Sequence, residues 1–163
     1  MSMPVTLDRA GIASRIPHHG SMCLLDAVQS WDDNHITCRA SSHRALDNPL
    51  RAHERLGAAC GIEYAAQAMA VHGALVGESQ GGDAARPRAG YLASIRSVVL
   101  QVDRLDTVAG DLTLKAERMT GDAATVLYSF TVEAEGQLLL SGCAVVVLDA
   151  AGLIAAPPHN TAP

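Results

Sequence analysis

The chain has 163 residues and a mass of 17.0 kDa, enough to bury one core and too little for two full domains. A formal charge of -5, with 12 Lys and Arg against 17 Asp and Glu and no basic run, gives no electrostatic footprint for nucleic acid or an anionic membrane surface, and five aromatic residues other than His make no platform for stacked bases. Residues 1–15 lack the basic start and apolar run of a signal peptide, and no apolar stretch is long enough to span a bilayer, which points to a cytoplasmic protein without membrane insertion.

In chain order, residues 22–29 read as a strand after a Pro-His-His-Gly turn, and residues 35–40 as its partner across Asp32-Asp33-Asn34, which has turn chemistry. An irregular stretch over 41–55 leads into an apolar helix over 56–75. Residues 77–88, rich in Gly, Asp and Ser, read as a mobile loop. Strands follow over 90–98, 99–105, 110–120, 124–135 and 137–148, with turns at Thr120-Gly121-Asp122 and Glu135-Gly136, an antiparallel meander. One domain is expected over 1–149, with a frayed Pro-rich tail over 150–163 and no internal repeat. A single helix followed by antiparallel strands is an α+β arrangement in which a curved sheet wraps the helix, and the small residues Ala58, Ala59, Gly61, Ala65, Ala66, Ala68 and Ala70 allow the close approach this needs. Such a sheet leaves edges open, and a side-by-side dimer is the expected remedy.

The helix holds one carboxylate, Glu63. Between Gly57 and Val76 its polar company is Tyr64, Gln67, His72 and the weakly polar Cys60, so the helix reads as enclosed nearly all round. A carboxyl in such surroundings is paired, has its pKa raised, or serves chemistry; on spacing alone, an exposed Glu bridged to an Arg fits equally well. Tyr64 and Gln67 are expected to hydrogen-bond within the fold or across a dimer, and His72, nine residues on, falls on another face. Cys23, Cys38, Cys60 and Cys143 lack paired spacing and read as buried free thiols, leaving no metal site.

Two motifs carry a family resemblance. Ile16-Pro17-His18-His19-Gly20-Ser21-Met22-Cys23-Leu24-Leu25-Asp26 resembles the Leu-Pro-His-Arg-x-Pro-Met-Leu-Leu-Leu-Asp opening of hotdog-fold 3-hydroxyacyl-ACP dehydratases. Gly61-Ile62-Glu63-Tyr64-Ala65-Ala66-Gln67 is similar to their Glu-Ala-Met-Ala-Gln helix. The resemblance runs over residues 14–148 and is nearest to the dehydratase-like subfamily of aryl polyene biosynthesis. It implies a hotdog fold and removal of water from a 3-hydroxyacyl thioester on acyl carrier protein, without a cofactor. In that family a histidine of one subunit takes the C2 proton and the helix acid of the other helps the hydroxyl leave. Glu63 maps onto the acid, and amides at the helix start, near Gly57 and Ala58, would polarise the thioester carbonyl.

The sequence departs from the family where the histidine is expected: in place of His-Phe-Pro-Gly stands Asp47-Asn48-Pro49-Leu50. His43 and His53 flank the gap as substitutes for the base, while His18 is read as structural or substrate-lining. Tyr91 and Leu92 are expected along an acyl tunnel, and Arg86, Arg88 and Arg96 against an acidic carrier protein or its phosphopantetheine phosphate. Three readings stay open. The protein is a working dehydratase; or a hotdog thioesterase in which Glu63 acts as base or nucleophile and Asn48 orients water or the carbonyl; or a catalytically silent subunit that binds acyl-ACP or pairs with an active relative. A homodimer or a heterodimer with a related hotdog subunit suits all three.

Overall fold

The computed structural model describes residues 6–81, 90–122 and 124–148. A short helix α1 (Arg9–Ala13), which sequence patterning did not suggest, is capped by Asp8, whose carboxylate accepts from the Gly11 amide. Then come β1 (Ala27–Trp31), β2 (His35–Ala40), the long helix α2 (Gly61–Ser79), β3 (Gly90–Leu100), β4 (Leu112–Gly121), β5 (Thr125–Ala134) and β6 (Gln137–Leu148). The strands form one antiparallel sheet in the order β1-β2-β4-β5-β6-β3, and α2 packs on the face of β2, β4, β5 and β3. Register shifts in the β1/β2, β3/β6, β4/β5 and β5/β6 pairs add local bend and twist, which lets the sheet follow the helix.

Burial explains why these segments are strands. In β5, Val126, Tyr128, Phe130, Val132 and Ala134 are buried and their neighbours more open, the period of two that seats one face on a core. The core joins these to Ile36, Cys38 and Ala40 of β2, Leu112, Leu114 and Ala116 of β4, and Tyr64, Ala65, Ala68, Met69, Val71 and Leu75 of α2. Gly61 faces β6 without room for a side chain: a Cβ there would lie 2.6 Å from Leu140 Cδ2. The β5–β6 turn runs through Glu135 and Gly136, both at positive φ, the backbone that tight hairpins require.

Several expectations need correction. Residues 22–26 are not strand: Gly20–Met22 form a 3-10 turn, and the Leu24 amide donates to the Gln67 side chain instead of a neighbouring strand. Residues 101–105 leave the sheet; β3 runs unbroken through Val99 and Leu100 with Ser97 at positive φ in a bulge. β3 then pairs with β6, not with β4, so the meander is β4-β5-β6 and β3 is an edge. The helix begins later than expected, after a 3-10 turn at Ala58–Cys60, and runs on to Ser79. Residues 82–89, with Arg86 and Arg88, and the tail from 149 lie outside the described residues. Cys23 and Cys38 are buried, with burial pushing the Cys38 thiol up to about 12, whereas Cys60 and Cys143 are only half-buried.

Candidate functional site

Glu63 stands in the first turn of α2, where the unpaired amides of a helix start favour a negative charge. The sheet does not enclose the helix on every side. A stripe with Ala59 and Gly73 exposed, and Ile62, Glu63, Ala66 and Ala70 half-buried, stays open, and the Glu63 side chain is 40% exposed. Two groups meet its Oε1: His18 Nε2 at 3.2 Å and Gln67 Nε2 at 3.3 Å. Gln67 is one turn further along, the i,i+4 position from which a side chain reaches back. His18 comes from the Pro-His-His-Gly turn, 45 residues earlier in the chain, and its Nδ1 is buried without a hydrogen-bond partner among the described residues.

The turn is held from both sides. Gln67, 1% exposed, accepts from the Leu24 amide at 2.9 Å through Oε1 and donates to the Met22 carbonyl at 2.9 Å through Nε2. Arg9 donates to the Gly20 carbonyl at 2.9 Å. A histidine and a carboxylate in contact on an open, largely apolar surface form an acid–base pair, able to move a proton to or from a substrate laid along the stripe.

The other sequence-predicted residues lie elsewhere. His43 is fully buried, its Nε2 donating to the Val108 carbonyl at 3.1 Å; burial lowers its pKa, and none of its hydrogen bonds leads to Glu63. His53 sits exposed on a tight turn, with Glu54 beside it also at positive φ. Asn48 is buried and spent on internal bonds: Nδ2 donates to the Ser42 carbonyl and to Tyr64 Oη, and Oδ1 accepts from the Leu50 amide. Tyr64 Oη also meets Ser42 Oγ at 2.7 Å, and burial raises its pKa. At the helix start the Ala58 amide donates to the Asp103 carbonyl, while the Gly57 and Ala59 amides have no backbone acceptor among the described residues. Tyr91, Leu92 and Arg96 are exposed on the edge strand β3.

His72 is buried on another face, as its spacing suggests. Nε2 lies 2.8 Å from the Asp32 carbonyl and Nδ1 2.7 Å from Tyr128 Oη. A carbonyl only accepts, so Nε2 carries the hydrogen and Nδ1 accepts from the tyrosine, which holds the ring neutral. Burial lowers the His72 pKa and pushes the Tyr128 hydroxyl up to about 12. Among the described residues no cluster of His, Cys, Asp and Glu could hold a metal ion.

Sequence reasoning missed the contact between His18 and Glu63. Its two motifs were both visible, but the turn that brings them together depends on Gln67 and Arg9, which no local pattern ties to it. The Glu63-x-x-x-Gln67 spacing was the available signal.

The comparisons with known proteins follow the same lines. Residues 10–153 match the ApeP-like family model, described as ApeP dehydratase. Among solved structures, the chain is similar to the dehydratase heterocomplex ApeI:P from Xenorhabdus doucetiae, with 21% identity over 88% of this chain and 93% of that one and a TM-score of 0.75. A mutant thioesterase from Pseudomonas aeruginosa shares 12% identity over 91% and 98% of the two chains, with a TM-score of 0.61. A hypothetical thioesterase with coenzyme A from Streptococcus pneumoniae shares 12% over 74% and 83%, with a TM-score of 0.54. These likenesses give the hotdog fold. No curated protein matches the sequence.

Proposed function

Because the chain belongs to the ApeP-like dehydratase family, we propose that it removes water from a 3-hydroxyacyl thioester carried on acyl carrier protein, with His18 and Glu63 as its acid–base pair. The contact of 3.2 Å between His18 Nε2 and Glu63 Oε1 on the open face of α2 carries this reading. The C2 proton is acidic because it lies beside the thioester carbonyl. Neutral His18 takes that proton, and the C2–H electrons form the C2=C3 double bond. The C3–O bond breaks, and a proton shared by the pair, passed from His18 to Glu63 across their contact before His18 acts as base, goes to the departing hydroxyl, which leaves as water. The proton gained by His18 then passes to Glu63 across their contact, and the pair is reset. The Gly57 and Ala59 amides are the donors available to the thioester carbonyl at the helix start. No cofactor takes part.

The thioesterase reading is weaker, because the polar atoms of Asn48 that would orient water are committed to Ser42, Tyr64 and Leu50. A partnered enzyme has specific support. The edge strand β3 exposes Tyr91, Leu92, Val99 and Leu100, large side chains on a strand whose outer edge, away from β6, has no strand partner among the described residues and that a second sheet would cover. The similar ApeI:P structure is a heterocomplex, and pairing with a related hotdog subunit is part of the proposal. Mass spectrometry of a 3-hydroxyacyl-ACP, incubated with this protein alone and with such a subunit, tests it. Loss of the mass of one water, abolished by Glu63→Gln, is the expected result. Release of the acyl chain instead would establish hydrolysis, and an unchanged acyl-ACP under both conditions would leave a silent binding subunit.

A further inference from the structure

Resting on that reading, we infer that Asp106, clamped by Arg104, is a positioning residue that aims the Gly57 amide at the thioester carbonyl. Gly57 lies just before the 3-10 turn Ala58–Cys60 that leads into α2. It stands opposite Arg104 in an isolated antiparallel bridge, made by the Ala58 amide on the Asp103 carbonyl at 3.0 Å and the Leu105 amide on the Leu56 carbonyl at 2.8 Å. In such a wide pair the two facing residues turn their own amides away from each other. The second bond also sets the direction: the Leu56 carbonyl points at Leu105, and because a trans peptide holds C=O and N–H on opposite sides, the Gly57 N–H points the other way. Room is left beside it, since a Cβ on Gly57 would meet nothing within 4 Å.

The bridge is two bonds long, and its next rung is made by a side chain. A continued ladder would have the Leu56 amide donate to the Leu105 carbonyl, but that carbonyl accepts from the Val108 amide at 3.0 Å as the chain bends away. Asp106 Oδ1 takes its place, accepting from the Leu56 amide at 3.0 Å. The carboxylate is itself fixed, with Arg104 Nε donating to Oδ1 at 2.9 Å and Nη2 to Oδ2. The Asp106 side chain is 8% exposed, and Arg104 holds its carboxyl well below the usual carboxylate range, so it is ionised and the stronger kind of acceptor. Leu56 is fully buried; removing Asp106 would strand its amide and loosen the peptide that carries the Gly57 N–H. Both carboxylate oxygens are spent on Leu56 and Arg104, so Asp106 serves the reaction through the backbone it holds.

Two variants test this on the whole protein, assayed together with a related hotdog subunit if it needs one. Asp106→Ala strands the Leu56 amide; Arg104→Met leaves the acceptor in place but frees the carboxylate to turn. For each, kcat and KM are measured on a 3-hydroxyacyl-ACP. The infrared stretch of the thioester carbonyl is read on a bound, isotope-labelled saturated acyl-ACP, which has no hydroxyl to lose. The wild type should lower that stretch relative to free acyl-ACP. Losing an oxyanion donor outright costs about a hundredfold or more in kcat. For Asp106→Ala, a misaimed donor predicts a kcat at least about tenfold lower, a KM within about threefold and a carbonyl band moved back toward its free position. Arg104→Met should shift kcat and band in the same directions by less. A wild-type kcat or band in Asp106→Ala, or in Arg104→Met should Asp106→Ala not fold, would overturn the inference. A wild type that lowers the carbonyl stretch without turning over substrate would sink the proposed function, while the band in the variants still decides the role of Asp106. One whose bound carbonyl keeps its free frequency overturns the inference whatever its turnover, and one that does not bind acyl-ACP overturns both.

Discussion

Glu63 was legible because it is the one carboxylate between Gly57 and Val76, among small apolar residues; its partner was not, because the turn bearing His18 reaches it only through tertiary contacts. The histidines at 43 and 53 drew attention through position in the chain, yet one is sealed against the Val108 carbonyl and the other is exposed on a strained turn. At this scale the stability should also depend on pH. His72 and His43 both have folded pKa values depressed by burial. The unfolded chain therefore binds protons that the folded chain refuses, and stability present above the ordinary histidine range near 6.5 is lost as pH falls through it. His35, held up by Asp32, acts in the opposite sense, but it is exposed and screened. The depressed carboxyl of Asp106, beside Arg104, acts only at lower pH. Urea titrations at pH 7.5 and 5.5 should show lower stability at 5.5, with a smaller difference in His72→Gln. At pH 7.5, His72→Leu should cost about 2 kcal/mol, since it strands the buried Tyr128 hydroxyl.

Among elements, β2 and β6 have the bounds that the sequence predicts, and in β2 hydrophobic period and ladder pairing agree residue by residue. Residues 22–26 do not form a strand, although 22–25 are apolar: the amide of Leu24 is taken by a glutamine side chain from α2. Residues 101–105 carry strand-like side chains but are drawn off the sheet by the start of the helix segment, where the Leu56 carbonyl accepts from Leu105 and the Asp106 carboxylate from the Leu56 amide. At Gly61 the helix leaves no room for a side chain against the sheet. Replacing it with Ala places a methyl 2.6 Å from Leu140 Cδ2, and a loss of about 1–3 kcal/mol is expected by thermal or urea denaturation. Gly73, with nothing within 4 Å of an added Cβ, should accept Ala without loss.

For the whole molecule, sequence patterning gave a helix wrapped by antiparallel strands but not the strand order, since the partner of β3 lies at the far end of the chain in β6. That order leaves β3 as a free edge with four large exposed hydrophobic side chains, Tyr91, Leu92, Val99 and Leu100. If this edge joins a second hotdog sheet, Leu92→Lys with Val99→Lys should shift sedimentation toward the single chain while leaving its thermal unfolding nearly unchanged.

The central claim is that His18 and Glu63 act as one unit, and a double-mutant cycle on kcat/KM tests it most directly, with His18→Asn, Glu63→Gln and the double variant assayed on a 3-hydroxyacyl-ACP beside the wild type. Each single substitution should lower the rate by at least about a hundredfold, and the double should be no worse than the poorer single. Losses that simply multiply, or a His18→Asn variant that turns over like the wild type, would contradict it.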